Sequence, residues 1–171
     1  MKYTIYKDSH FSSEHPAIPK LHYKLDYLNI RFSFDPSTKY RSNAPVNQLD
    51  INKLYGITWG YVHHNSFRIG WNYNPEANMI DIWAYYYNTT NNKKGHQEVY
   101  LTSVQPNNTE KEFRITFGYK TNTIFIYTGT RLVTIPYKYP TIKLGYYLYP
   151  YFGGDETAPN TMSLNVTEFN T

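Results

Sequence analysis

The chain has 171 residues, of which 20 are Tyr and none is Cys, and its formal net charge is +4. That length suits one domain, residues 1–171, able to bury a core without cross-links. The absence of thiols excludes disulfides and thiolate metal sites. Dispersed Lys and Arg argue against nucleic acid as a partner, and no apolar run is long enough to span a membrane.

Alternating apolar residues and recurrent turn signals predict strands throughout and no convincing helix. The first strand covers 2–8 and lacks the apolar stretch of a secretory signal. The protein is therefore expected either to stay in the cytoplasm or to leave without a signal, as on a virion or extracellular surface. Residues 8–19, rich in Ser and Pro, read either as an extended arm leaving the body or as a surface loop. The segment 21–34 is one bent strand or two. Further strands are expected at 51–63, 66–74, 79–87, 97–105 and 111–119, then at 122–128, 130–136, 142–152 and 161–169. The breaks between them carry Pro, Asn, Asp and Gly, as in Asp35-Pro-Ser-Thr38, Asn74-Pro-Glu-Ala-Asn78 and Pro106-Asn-Asn-Thr109. Roughly ten antiparallel strands with no internal repeat predict an all-β fold, a two-sheet antiparallel jelly-roll sandwich. Strands of cleanest alternation place Phe32, Ile69, Trp71, Ile82, Phe117, Ile126, Leu148 and Leu164 in the core.

The opposite faces are where function can sit. In 26–34, Tyr27, Asn29, Arg31 and Ser33 oppose the apolar set, and in 66–73 Ser66, Arg68, Gly70 and Asn72 do so. Gly56, Thr58, Gly60 and His64 alternate with Tyr55, Ile57, Trp59 and Tyr61. Outward glycines leave room for a close ligand. In 145–153, Tyr147, Tyr149 and Tyr151 share one face, while Leu144, Tyr146, Leu148 and Phe152 share the other. Rings with hydroxyls stack on sugars and hydrogen-bond at their edges. If these strands share a sheet, Tyr147, Tyr149, Tyr151, Arg68, His64, Asn72 and Arg31 form a mildly cationic ligand-binding face. Solubility alone also puts such residues on the wet face of a sheet. His63 and His64 alternate to opposite faces, so no metal site is expected. Phosphate loops and dinucleotide fingerprints are missing, and no cofactor is implied. Ser66, His64 and Asp81 can be drawn as a triad, but no nucleophile-elbow pattern accompanies them.

Three stretches carry a resemblance. They are Lys53-Leu-Tyr-Gly-Ile-Thr-Trp-Gly-Tyr-Val-His-His-Asn-Ser-Phe-Arg-Ile-Gly-Trp71, Ile80-Asp-Ile-Trp-Ala-Tyr-Tyr-Tyr87, and Leu144 to Pro159 with its Tyr-Phe-Gly-Gly-Asp-Glu-Thr-Ala-Pro run. Together they resemble a β-sandwich family of gut Bacteroidales and their bacteriophages, crAss-like phages included. This resemblance implies an origin rather than an activity. The aromatic strand 145–153 followed by a closing strand is also similar to concanavalin-like jelly rolls, the fold of lectins, laminarinases and alginate or glucuronan lyases. For a lyase, that resemblance implies an Arg-rich strand, here at Asn29 and Arg31, and a base, here His64. The lyases' Arg-Glu-Leu-Arg and Gln-Ile-His runs are absent, as is the Glu-x-Asp-x-x-Glu of retaining glycosidases. The expectation is therefore a non-enzymatic module, virion-associated or glycan-binding, whose partners are glycans or other virion subunits and which can form homo-oligomers. The alternative is a polysaccharide lyase acting on uronic-acid glycans.

Overall fold

The alternation of apolar and polar residues that runs from Lys2 to Glu168 folds as strands in the computed structural model, which describes residues 1–92 and 95–170. In chain order these are β1 (Lys2–Ile5), β2 (Leu21–Tyr23), β3 (Tyr27–Phe34), β4 (Asn52–Trp59), β5 (Asn65–Asn74) and β6 (Met79–Asn88). They continue as β7 (His96–Val104), β8 (Lys111–Gly118), β9 (Thr123–Tyr127), β10 (Leu132–Pro136), β11 (Leu144–Leu148) and β12 (Met162–Glu168). The only helical pieces among the described residues are three single 3-10 turns, at Pro36–Thr38, Pro45–Asn47 and Thr89–Asn91. None is long and apolar enough to cross a membrane.

The strands form two antiparallel sheets of six, ordered β1-β12-β3-β8-β9-β10 and β2-β11-β4-β5-β6-β7. This is the expected all-β sandwich. The stretch 21–34 resolves into two strands, one in each sheet, with Lys24 in the left-handed region (φ 46°) where the chain changes direction. Long central strands follow the apolar period. Phe67, Ile69 and Trp71 on β5 and Ile80, Ile82 and Ala84 on β6 are fully buried against Phe32, Phe113, Phe117 and Ile126 of the facing sheet. Of the residues expected in the core, only Leu148 lies outside the buried set.

Part of the Tyr surplus is internal. Tyr40, Tyr55, Tyr86, Tyr137, Tyr139 and Tyr147 belong to the core. A buried phenol needs a partner for its hydroxyl. Tyr137 donates to the Tyr87 carbonyl at 2.9 Å and Tyr139 to that of Thr123 at 2.9 Å. Burial pushes the Tyr40 hydroxyl up to about 12 and that of Tyr137 well above the ordinary range, so both remain neutral; Tyr40 accepts from Asn52 Nδ2 at 3.1 Å.

Within the segment 8–19, read as an arm or a surface loop, residues 8–15 lie against the body. The amide of Asp8 bonds the Ala158 carbonyl at 2.9 Å, that of Phe152 bonds His10 at 2.8 Å, and that of Ser13 bonds Thr4 at 2.8 Å. Ser12 is buried, and the His10 ring stacks on Tyr151 at 5.2 Å. Backbone groups that find partners this readily outweigh the extended preference of Pro and Ser.

Candidate functional site

The pairing of β4, β5 and β6 builds the site. Gly56 lies opposite Arg68, and Arg68 opposite Tyr85, so Arg68 stands on the outer face of the second sheet between two strands. Gly70 lies opposite Lys53 on the same face, and Tyr87 opposite Ser66. On the far side, β7 contributes Glu98 opposite Tyr85 and His96 opposite Tyr87. On the near side, β11 places Tyr146 opposite Thr58 and Leu148 opposite Gly56.

Arg68 is 9% exposed although it faces outward, and its Nε has no hydrogen-bond partner. No carboxylate forms an ion pair with it among the described residues. What surrounds it is aromatic. Its guanidinium carbon lies 5.2 Å from the Tyr85 ring centre, and the hydroxyls of Tyr85, Tyr87, Tyr146 and Tyr151 are within its electrostatic reach. Burial pulls its pKa down, yet guanidinium stays charged at any ordinary pH. Lys53 shares the ring: its Nζ lies 4.6 Å from the Tyr85 centre and donates to the Ile51 carbonyl at 2.6 Å. Burial, with Arg68 next to it, lowers Lys53 to about 8. A cleft of about 310 Å³ opens here, lined by Asp50, Lys53, Tyr85, His96, Glu98 and the Gly153-Gly154 loop.

Tyr85 and Tyr87 meet hydroxyl to hydroxyl at 3.4 Å, and His96 stacks on Tyr85 at 4.7 Å. His63, in the turn between β4 and β5, packs edge-on against Tyr87 at 5.2 Å. Partial burial and the cations of Arg68 and Lys53 hold His63 below the usual imidazole range, so it is neutral near pH 7. A neutral imidazole accepts a proton, and a tyrosine such as Tyr85, held well above its ordinary range by burial, donates one.

The expected site residues divide. Arg68 and Asn72 are on this face as read, although Asn72 is 1% exposed and its Oδ1 accepts from Trp83 Nε1 at 2.6 Å. Arg31 is elsewhere: β3 belongs to the other sheet, where Arg31 pairs with Glu112. His64 is exposed in the turn beside Tyr61, and the electrostatic neighbour of Arg68 is His63. A tight turn replaces the strand end, so alternation does not govern the two rings. Ser66 bonds the Val62 carbonyl, and its strand partner is Tyr87, six positions from Asp81; no triad forms.

The three tyrosines of 145–153 do not share one face: Tyr147 turns into the core, and only Tyr151 stands near Arg68 as expected. Tyr147 lies opposite Ile57, which faces the core, and is 6% exposed; Tyr146 and Leu148 face outward instead. Tyr149 is half-buried beyond the end of β11, its ring 5.6 Å from Tyr55. Tyr151, at the strand's exit, pairs with Lys53 and lines the approach to Arg68. Both faces of this run carry large rings or leucines, so the pattern contains no polar contrast to orient it. Of the glycines expected to face outward, Gly56 and Gly70 are filled by neighbours rather than open to a ligand, while Gly60, in the turn after β4, has open space beside it. A Cβ on Gly56 would meet Arg68 Cγ at 2.8 Å, and one on Gly70 would meet Ile51 Cγ2 at 2.4 Å.

Lys53, Tyr85, Tyr87, Tyr146 and His63 escaped the sequence reading. The alternation of Ile80, Ile82, Ala84 and Tyr86 against Asp81, Trp83, Tyr85 and Tyr87 would have put the β6 tyrosines outward. Lys53 follows no such rule, because the β4 register slips between Lys53 and Tyr55. Among the described residues no three His, Asp or Glu side chains gather as a metal site.

No family model matches the chain, and no curated protein matches it in sequence. Solved structures do. One is the alginate lyase AlyC3, with 17% identity, TM-score 0.62, and 99% of this chain and 75% of that chain covered. An alginate lyase from Alteromonas sp. 272 matches with 6% identity and TM-score 0.48, over 98% of this chain and 71% of that one. The Ruminococcus gnavus IT-sialidase CBM40, bound to α2,6 sialyllactose, matches with 12% identity and TM-score 0.36, over 82% of this chain and 76% of that one. At these identities, the first of the three shows that the jelly-roll sandwich is shared across nearly the whole chain.

Proposed function

We propose that the outer face of the second sheet binds an acidic glycan, with a sugar carboxylate on Arg68. One observation carries this reading: a guanidinium almost fully withdrawn from water, lacking a carboxylate partner, in a ring of tyrosines. Burying such a charge costs several kcal/mol unless something compensates it. A planar carboxylate is the natural complement, accepting two parallel hydrogen bonds from the fork. Tyr146, Leu148 and Tyr85 then offer ring and apolar faces to the sugars. The AlyC3 likeness is compatible, since that fold carries an enzyme of acidic polysaccharide. A virion or fibre role rests on the sequence resemblance alone.

A second reading is cleavage by β-elimination, favoured by the contact of His63 with Tyr87 next to Arg68. Arg68 would neutralise the uronate carboxylate and so acidify the adjacent C5–H. His63 would take that proton, the C4–O bond would break as the C4=C5 double bond forms, and a tyrosine hydroxyl would protonate the departing oxygen.

Calorimetric titration with uronate oligosaccharides and neutral oligosaccharides of equal length tests the first reading. Binding of the acidic chain alone, lost in Arg68→Met, is expected; equal binding of both chains contradicts it. Ultraviolet absorbance of the unsaturated product, abolished in His63→Ala, would establish elimination, and its absence from every uronate polymer tried would leave a binding module.

A further inference from the structure

We propose that Lys53 and Arg68 act as a two-point anion clamp across Tyr85, so that the cleft prefers a chain with acidic groups on more than one sugar over a chain with a single acid. This rests on the acidic-glycan reading above and adds a specificity to it. The two cations come from neighbouring strands and occupy diagonal positions on one face, Lys53 opposite Gly70 and Arg68 opposite Gly56. Both approach the same ring, at 4.6 Å and 5.2 Å from its centre, so their separation cannot exceed the sum of those distances. Two sugar units of an extended chain cover that span.

Structure alone gives no reason to hold two like charges there. Each disfavours the other, and each loses water; the fold supplies a carbonyl to Lys53, aromatic faces to both, and the weaker, longer-range support of Asp50 and Glu98 to Lys53. Neither ammonium nor guanidinium has an ion-pair partner among the described residues. Lys53 and Tyr85 line a cleft, together with Asp50 and Glu98, whose volume of about 310 Å³ suits a sugar ring, and Arg68 lies against the same Tyr85 ring. An anion over Lys53 would supply the missing partner.

The clamp also predicts a pH response. The groups facing Lys53 are Arg68 on β5, Tyr85 on β6, His96 and Glu98 on β7, Asp50 before β4 and Tyr151 after β11. Burial and Arg68 lower its pKa to about 8, while Asp50 and Glu98 support the charge more weakly. Its ammonium is therefore present near neutral pH and lost as pH rises through that value.

The test is titration of the parent, Lys53→Met, Lys53→Arg and Arg68→Met at fixed salt with two probes. One is a trimer of uronates, and the other is a neutral disaccharide extended by one terminal acidic sugar. Lys53→Met should weaken the trimer about tenfold, as loss of one charge-assisted contact does, and change the singly acidic probe less than about twofold. Lys53→Arg should restore the trimer. Parent affinity for the trimer should fall as pH rises through about 8, a dependence that needs no variant to fold. Trimer binding that is unchanged in Lys53→Met, or flat across that pH range in the parent, overturns the clamp and leaves the acidic-glycan reading standing. Failure of the parent to bind either probe removes both.

Discussion

Arg68 owes its position to Gly56, over which its stem lies, and to Tyr85, whose ring takes its charge in place of water. No carboxylate among the described residues is paired with that charge. Arg68→Met should therefore fold within about 1 kcal/mol of the parent or more stably, because a desolvated, unpaired cation gives way to an apolar chain of similar length. A denaturant midpoint well below the parent's would show that Arg68 is structural. Another residue-scale effect belongs to His22 on β2, buried against Trp59 and Tyr147 with Nε2 3.0 Å from the Thr58 carbonyl. Burial lowers its pKa below 6.5. The folded state then binds fewer protons than the unfolded one, so this contribution is full above about 6.5 and is lost as pH falls toward the folded value. His63 shifts in the same direction but is exposed and adds less. The thermal midpoint should drop between about pH 7 and 5 and drop less in His22→Gln; equal drops would refute the assignment. Arg68 was legible in the sequence because it interrupts a clean apolar period. His64 was not distinguishable from His63, since a turn erases the period that would separate them.

At the scale of the strand, β4 and β5 show why outward glycines were misread. A strand glycine signals close approach, but the approaching group is the protein itself. A Cβ on Gly56 would come 2.1 Å from the Phe67 carbonyl oxygen, a backbone atom that cannot step aside. At Gly70 the nearest atom is the Ile51 Cγ2 methyl at 2.4 Å, which can rotate away. Gly56→Ala should cost about 1–3 kcal/mol and disturb Arg68, and Gly70→Ala should cost less. Chemical denaturation of the two variants checks the order, and the reverse order would contradict it. The β11 strand was misread for a different reason. Its inward residues are Gly145 and Tyr147, and its outward ones Tyr146 and Leu148. Hydrophobicity alone would bury the leucine. The register with β4 instead gives the inner face to Tyr147, whose ring packs in the core while Lys20 lies 4.0 Å over it. Only the identity of the neighbouring strand decides this, and strand order is not written in a local period.

Across the whole molecule, the two outer faces differ in how their cations are compensated. On the first sheet Arg31 is half-exposed beside Glu112 and Glu110, a solvated cluster of ordinary surface kind. On the second sheet Arg68 and Lys53 have no such ion-pair partner among the described residues and share the ring of Tyr85. The modest net charge of +4 conceals this asymmetry. Composition and alternation made the sandwich legible down to most strand boundaries, because each strand's apolar period is a local property. They left open which strands share a sheet, and the site is assembled from five of them, β4, β5, β6, β7 and β11. The account's central claim is that an acidic sugar is held at Arg68 on the second sheet. A crystal structure of the protein with a uronate oligosaccharide tests it most directly. It should show a sugar carboxylate on the Arg68 guanidinium with rings against Tyr85 and Tyr146. A chain bound at Arg31 on the first sheet, or anywhere without contact to Arg68, would contradict it.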